Sequence, residues 1–133
     1  MPATTPEALS QIPLFSHLSS RQLRKLRRST VEQRYDADTM IVRQHSRTTT
    51  LFVLLEGSVK IVRDGRTISR RDPGEYFGEI ALIDGRPRAA SVIAESPVRC
   101  LALQQDELRK LLMTDPDVSW SLLQSLATRL RGE

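Results

Sequence analysis

Phe77-Gly78-Glu79-Ile80-Ala81-Leu82-Ile83-Asp84-Gly85-Arg86-Pro87-Arg88-Ala89-Ala90-Ser91-Val92 is the stretch around which the chain organises. An aromatic pair, Tyr76 and Phe77, begins it, after the turn signal Asp72-Pro73-Gly74. Gly78 and Glu79 open a short apolar segment, Ile80 to Ile83. Asp84-Gly85 ends that segment, because glycine tolerates the left-handed conformation that stops a helix. Arg86-Pro87-Arg88 leads into an apolar run, Ala89 to Ala94, that reads as a strand. The spacing predicts a turn or two of helix pinned between two strands. One carboxylate stands at the helix start and one guanidinium just after its end.

Such an arrangement suits a small anionic sugar. A helix N-terminus offers free backbone N–H groups and partial positive charge to a phosphate. Gly78 lets a ligand approach the backbone closely. Arg88 can give two parallel hydrogen bonds to phosphate oxygens, each stronger than a neutral one. Glu79 is a poor neighbour for phosphate but a good acceptor for a hydroxyl. Taken alone, the two residues read more readily as a surface ion pair, which is common and weak.

Outward from this stretch the period of the apolar residues is two. Strands are predicted near Val31–Tyr35, Met40–Arg43, Leu51–Leu55, Ser58–Arg63 and Arg66–Ser69, then Ala89–Ala94 and Val98–Leu103. Asp64-Gly65 signals a tight hairpin. Short strands at this spacing, with turns between them, indicate a sandwich or barrel. Helical spacing appears at both ends. Ser19 reads as an N-cap, Gln22 completes a capping box, and Leu18 with Leu23 forms the hydrophobic staple of a helix over residues 20–28. A helix is predicted over 105–113, and another begins at the cap Asp115-Pro116 and runs towards Arg131. In that last helix Val118, Leu122, Leu126 and Leu130 recur every four residues, with Leu123 and Ala127 beside them, a stripe that must bury itself. Residues 1–11 read as a flexible tail and 12–133 as one domain.

Composition sets the outer bounds. With 133 residues, 39% hydrophobic and 27% charged, the chain is large enough for a core and ordinary for a globular protein. No apolar run approaches the ~20 residues of a membrane helix, and residues 1–10 lack the order of a signal peptide. A single cysteine, Cys100, cannot form an internal disulfide and reads as a small core residue, so a cytoplasmic location is expected. Net charge is +4, and Arg21, Arg24, Lys25, Arg27 and Arg28 crowd one segment. No helix-turn-helix, zinc pattern or stacking aromatic accompanies that run, so it reads as a solvated helix face rather than a nucleic-acid surface. His17 and His45 stand far apart and outside any metal-type spacing. With no nucleophile elbow and no P-loop, neither catalytic residues nor a metal site are expected.

The central stretch resembles the phosphate-binding cassette of the cyclic nucleotide-binding domain family. That pattern runs Phe-Gly-Glu-Leu/Ile-Ala-Leu, a short variable loop, then Pro-Arg-Ala/Thr-Ala-Thr/Ser-Val, and Phe77 to Leu82 and Pro87 to Val92 match it throughout. Pro13-Leu14-Phe15 with Leu18-Ser19, Leu23 and Leu26 is similar to the family's opening helix, and Leu55-Glu56-Gly57-Ser58-Val59 to its hairpin turn. The resemblance implies an α+β, mainly β fold: an antiparallel jelly-roll-like β-roll flanked by N-terminal and C-terminal helices, with a short cassette helix. It implies that Glu79 takes the ribose 2′-hydroxyl and Arg88 the cyclic phosphate. Backbone N–H groups of Gly78, Ile80, Ala81 and Ala89 would complete the cradle, and Phe77 falls among the same binding residues. Ile61 and Ile68 would line the base pocket, and Arg129 or Arg131 would stack on the purine.

The ligand implied is cAMP, with cGMP as the alternative, because Ala89 stands where members favouring cGMP often carry threonine. No further cofactor is implied. The last helix would act as a lid over the base and carry the signal, and a homodimer through it is a partner expectation, beside an effector protein or fused output domain. The alternatives are a ligand-binding portion of a larger transcription factor, transporter or enzyme, and a degenerate cassette serving only as an interaction module. Retention of both Glu79 and Arg88 argues against the last. No helix-turn-helix follows the final helix, so direct DNA contact by this chain is not expected. In one place the pattern is broken. The family often braces its arginine with an acid near Thr49, and residues 44–50 hold none. Either the ligand is held more weakly, or Arg88 is braced another way.

Overall fold

Alternation of apolar and polar residues from Thr30 onward puts every second side chain on one face, and two such faces close on each other. The structure, a computed structural model, describes residues 6–12, 15, 16, 18–78 and 84–132, with Pro6, Glu7, Ser125 and Arg129 by backbone alone. The chain divides into two compact units, Thr30–Gln105 and the pair Met1–Ser29 with Asp106–Glu133.

The first unit is β. Its strands are β1 (Thr30–Tyr35), β2 (Met40–Val42), β3 (Thr50–Glu56), β4 (Val59–Arg63), β5 (Arg66–Arg71), β6 (Tyr76–Phe77), β7 (Ser91–Ala94) and β8 (Val98–Gln104). They form two four-stranded sheets, ordered β1-β8-β3-β6 and β2-β7-β4-β5, antiparallel at every pairing. Phe52, Leu54, Phe77, Val98, Cys100 and Ala102 from the first sheet pack with Val42, Val59, Val92 and Ala94 from the second. Phe52 and Phe77 stack with centroids 5.0 Å apart and planes 14° apart, which anchors the start of the central stretch in the core. Cys100 lies wholly inside, and burial pushes its thiol up to about 12. On β8, Arg99 ties its neighbours together, reaching Glu32 on β1 at 2.7 Å and Glu56 on β3 at 2.9 Å, and its hydrogen bond holds the Glu56 carboxyl below the usual range.

The Asp64-Gly65 hairpin forms as expected, with φ of 51° and 79° at its two central residues, the mirror-image turn that matches strand twist. One register feature was not foreseen. Ile61 pairs with Ser69 but Val62 pairs with Thr67, so Ile68 is an extra residue on β5, a bulge. The strand predicted from Ala89 begins instead at Ser91, because the backbone of Arg88 is engaged elsewhere: its N–H donates to Ser46 O at 2.7 Å and its carbonyl accepts from His45 N at 2.8 Å.

The second unit is helical: α1 (Pro6–Leu9), α2 (Ser20–Ser29), α3 (Gln105–Thr114, entering from β8) and α4 (Pro116–Leu130). Part of the expected tail is thus a helical turn, and Leu9 within it is fully buried. The capping box is present, with Gln22 N donating to Ser19 Oγ at 3.2 Å and Ser19 N donating to Gln22 Oε1 at 2.7 Å. Leu18 and Leu23, the staple, are both buried. Gln22 also donates through its amide to the Asp115 carboxylate, which caps α4 by accepting from Asp117 N at 3.2 Å. Ser19→Ala removes the cap and loosens this link, so unfolding stability in urea should drop by about 1 kcal/mol. An unchanged midpoint would show that water replaces the hydroxyl without loss. The stripe on α4 departs from expectation. Val118 and Leu122 are buried, but Leu123 and Leu130 are 57% and 89% exposed, and Trp120 is 64% exposed. The apolar face is fully covered only along its first half, with Leu126 half-buried beyond it.

No helix among the described residues is long and apolar enough to cross a membrane.

Candidate functional site

A cavity of about 150 Å³ opens in the β unit between the sheet β2-β7-β4-β5 and the segments around Gly78 and Arg88. Its apolar wall comes from Val42, Ile61, Ile68, Phe77 and Val92, and its polar wall from Arg63, Ser69, Arg71 and Arg88, with backbone from Gly78, Ala89 and Ala90.

Arg88 is 3% exposed. A buried guanidinium is tolerated only when its donors are met. Its Nε donates to Thr48 Oγ1 at 3.0 Å, Nη1 to Gly78 O at 2.7 Å, and Nη2 to Thr50 O at 2.8 Å. The break in the family pattern is therefore made good locally: a threonine hydroxyl and two carbonyls hold the fork. The backbone pairing of Arg88 with His45 and Ser46 fixes the other end of the same residue. Gly78 stands against this fork with φ +92°, and a Cβ there would lie 2.7 Å from Thr50 O and 2.9 Å from Arg88 Nη1. Only glycine meets both conditions.

Six of the residues picked out from the sequence line this one cavity: Ile61, Ile68, Phe77, Gly78, Arg88 and Ala89. Glu79, Ile80 and Ala81 lie outside the described residues, and so does the side chain of Arg129. Sequence reasoning missed Arg63, Ser69 and Arg71. A signal for Arg63 existed, since residues two apart on a strand share a face and Ile61 was already assigned there. Ser69 and Arg71 share a face for the same reason, but Ile68 was the residue chosen on β5, and only the bulge brings it and Ser69 to the same cavity. Arg71 Nη1 donates to Ser69 Oγ at 2.6 Å and to Arg70 O at 2.9 Å, and Arg63 Nε donates to Ala89 O at 3.3 Å. Three guanidiniums on one small cavity give it a positive lining whose chemistry suits an anion. Among the described residues there is no cluster of three or more His, Cys, Asp or Glu that would hold a metal ion.

Two antiparallel four-stranded sheets with a basic-lined cavity on one of them place the chain in the class of β-roll domains. The sequence profile described as the cyclic nucleotide-binding domain matches residues 32–115. A cAMP-dependent protein kinase regulatory subunit of Yarrowia lipolytica is 31% identical over 100 residues, covering 75% of this chain and 27% of that protein. A cGMP-dependent protein kinase, isozyme 1, of Drosophila melanogaster is 35% identical over 115 residues, covering 78% of this chain and 15% of that protein. Among solved structures, a cyclic nucleotide-binding domain from Methylobacillus flagellatus superposes with a TM-score of 0.83 at 30% identity, over 95% of this chain and 76% of that one. The chain belongs to the cyclic nucleotide-binding domain family, and its fold is that family's β-roll with flanking helices. It spans less than a third of the length of either kinase-related protein.

Proposed function

We propose that this domain is a cAMP sensor that regulates a partner and does no chemistry itself. The observation that carries the reading is the fork of Arg88, held by three hydrogen bonds beside Gly78 on a cavity that also has an apolar wall. A cyclic phosphate would dock on Arg88 and on the N–H groups of Gly78, Ile80, Ala81 and Ala89, and Glu79 would accept from the ribose 2′-hydroxyl. Phe77, Ile61 and Ile68 would meet the sugar and base, with Arg129 as the cap over the purine. The preference for cAMP over cGMP rests on Ala89, which carries no hydroxyl for the guanine amino group.

The signal would leave through α4. A ligand shifts a conformational equilibrium only by its differential affinity for the two states, so the helix must rest differently with and without nucleotide. Trp120, Leu123, Ala127 and Leu130 are all exposed and follow heptad spacing, which supports a homodimer seam along α4. The output is then an effector protein or a fused domain in the same cytoplasmic compartment. A thermal-shift series with cAMP, cGMP and AMP tests the reading. At a hundredfold excess over Kd, a ligand that binds only the folded state adds about 2.7 kcal/mol. cAMP should raise Tm most, cGMP less and AMP least. A larger rise with cGMP would overturn the preference, and no rise with either cyclic nucleotide would overturn the function.

A further inference from the structure

We infer that Arg63, at the end of β4, is a second guanidinium for the phosphate of the bound ligand, on the same cavity as Arg88; this rests on the cyclic nucleotide reading above. Arg63 lines the same cavity as Arg88 and Gly78. Its Nε donates to the carbonyl of Ala89, the residue directly after Arg88, so its guanidinium is tied to the segment that carries the anchoring arginine. The terminal Nη groups have no bond to any described residue and remain available as donors.

The base of the side chain is stiffened as well. Gln44 clasps the hairpin tip from both sides: its Nε2 donates to Asp64 Oδ1 at 3.0 Å, and Asp64 N donates to its Oε1 at 3.0 Å. Gln44 is itself held by its backbone N–H on Ser91 Oγ at 2.8 Å. An exposed arginine normally loses much rotamer freedom on gripping a ligand. Here the backbone is clamped and Nε is already placed, so part of that cost is met before the ligand arrives. A phosphate bound in this cavity would receive two guanidinium forks from separate segments of the chain, which gives both affinity and orientation.

The test is titration calorimetry of cAMP with the wild-type chain, Arg63→Ala and Arg63→Lys, each at about 50 mM and about 500 mM NaCl, where the screening length falls severalfold. Arg63→Ala should weaken binding about fivefold or more at low salt and flatten its salt dependence. Arg63→Lys, which keeps the charge without the fork, should restore the salt dependence and only part of the affinity. The side chain is exposed, so the urea midpoint of Arg63→Ala should match wild type. Wild-type affinity and salt dependence in Arg63→Ala would overturn the inference and leave the cyclic nucleotide reading standing. A loss equal at both salt concentrations would also overturn it, because a mere hairpin tether carries no charge signature. Failure of the wild-type chain to bind any cyclic nucleotide would bring down both.

Discussion

Arg88→Ala is expected to lower cyclic nucleotide affinity by at least about tenfold. A charged hydrogen bond contributes about 1.5–3 kcal/mol, and each 1.4 kcal/mol is about a factor of ten, so losing the phosphate fork alone reaches that threshold. The effect on the fold is coupled to it. Thr50 O and Gly78 O accept from this guanidinium at 2.8 and 2.7 Å, and Thr48 Oγ1 at 3.0 Å. Alanine takes away their donor in a place where Arg88 is almost wholly buried. An unsatisfied buried acceptor costs about 1–3 kcal/mol, so the urea midpoint should fall along with the affinity. Arg88→Lys separates the two effects. It keeps a positive charge but not the planar fork, and should bind more weakly than wild type while unfolding closer to it. Calorimetry on both variants, with unfolding curves beside it, is the measurement. Wild-type affinity in either folded variant would remove Arg88 from the binding site.

Gly78→Ala should be the most damaging single-methyl change in the cavity. At φ +92° a side chain is strained at about 1–2 kcal/mol. The new Cβ would also stand 2.7 Å from Thr50 O and 2.9 Å from Arg88 Nη1, and overpacking of this sort costs about 1–3 kcal/mol. Relief requires either the backbone of β3 or the anchoring arginine to move, so binding falls together with stability. Gly85→Ala is the matched control. Its φ is +69°, but no atom of the described residues lies within 4 Å of the added methyl, so only the backbone strain is expected. Equal unfolding midpoints for the two variants would show that the contact with Arg88 and Thr50 is not tight in solution.

Much of this protein was legible before folding was considered. The Ser19 capping box, the Leu18–Leu23 staple, the Asp115-Pro116 helix start and the Asp64-Gly65 hairpin are each decided by groups within a few residues of one another. Their energies are local, so the order of residues is enough to predict them. Arg88 and Gly78 were visible for a related reason, since both belong to one uninterrupted stretch. What escaped were consequences of register and coverage. The two-residue strand Tyr76–Phe77 exists only because β3 is there to pair with it. Ile68 and Ser69 share a cavity through a bulge, which alternation along β5 by itself would forbid. The α4 stripe has a clean period of four, yet periodicity says which residues share a face and not how far along that face is covered.

Through their resemblance to the family pattern, residues 77–92 point to the fold class and single out Arg88, because those residue types stand close together along the chain. The brace on that arginine exists only after folding. Its partners Thr48 and Thr50 stand 40 and 38 residues away along the chain, and they reach it through the end of a strand, a loop and one left-handed glycine. Arg63 likewise becomes part of the cavity only when the β4–β5 hairpin is clasped by Gln44 and tied to Ala89. Alternation along a strand gives the face on which a side chain stands, but contacts between distant segments depend also on register between strands, which no local pattern sets.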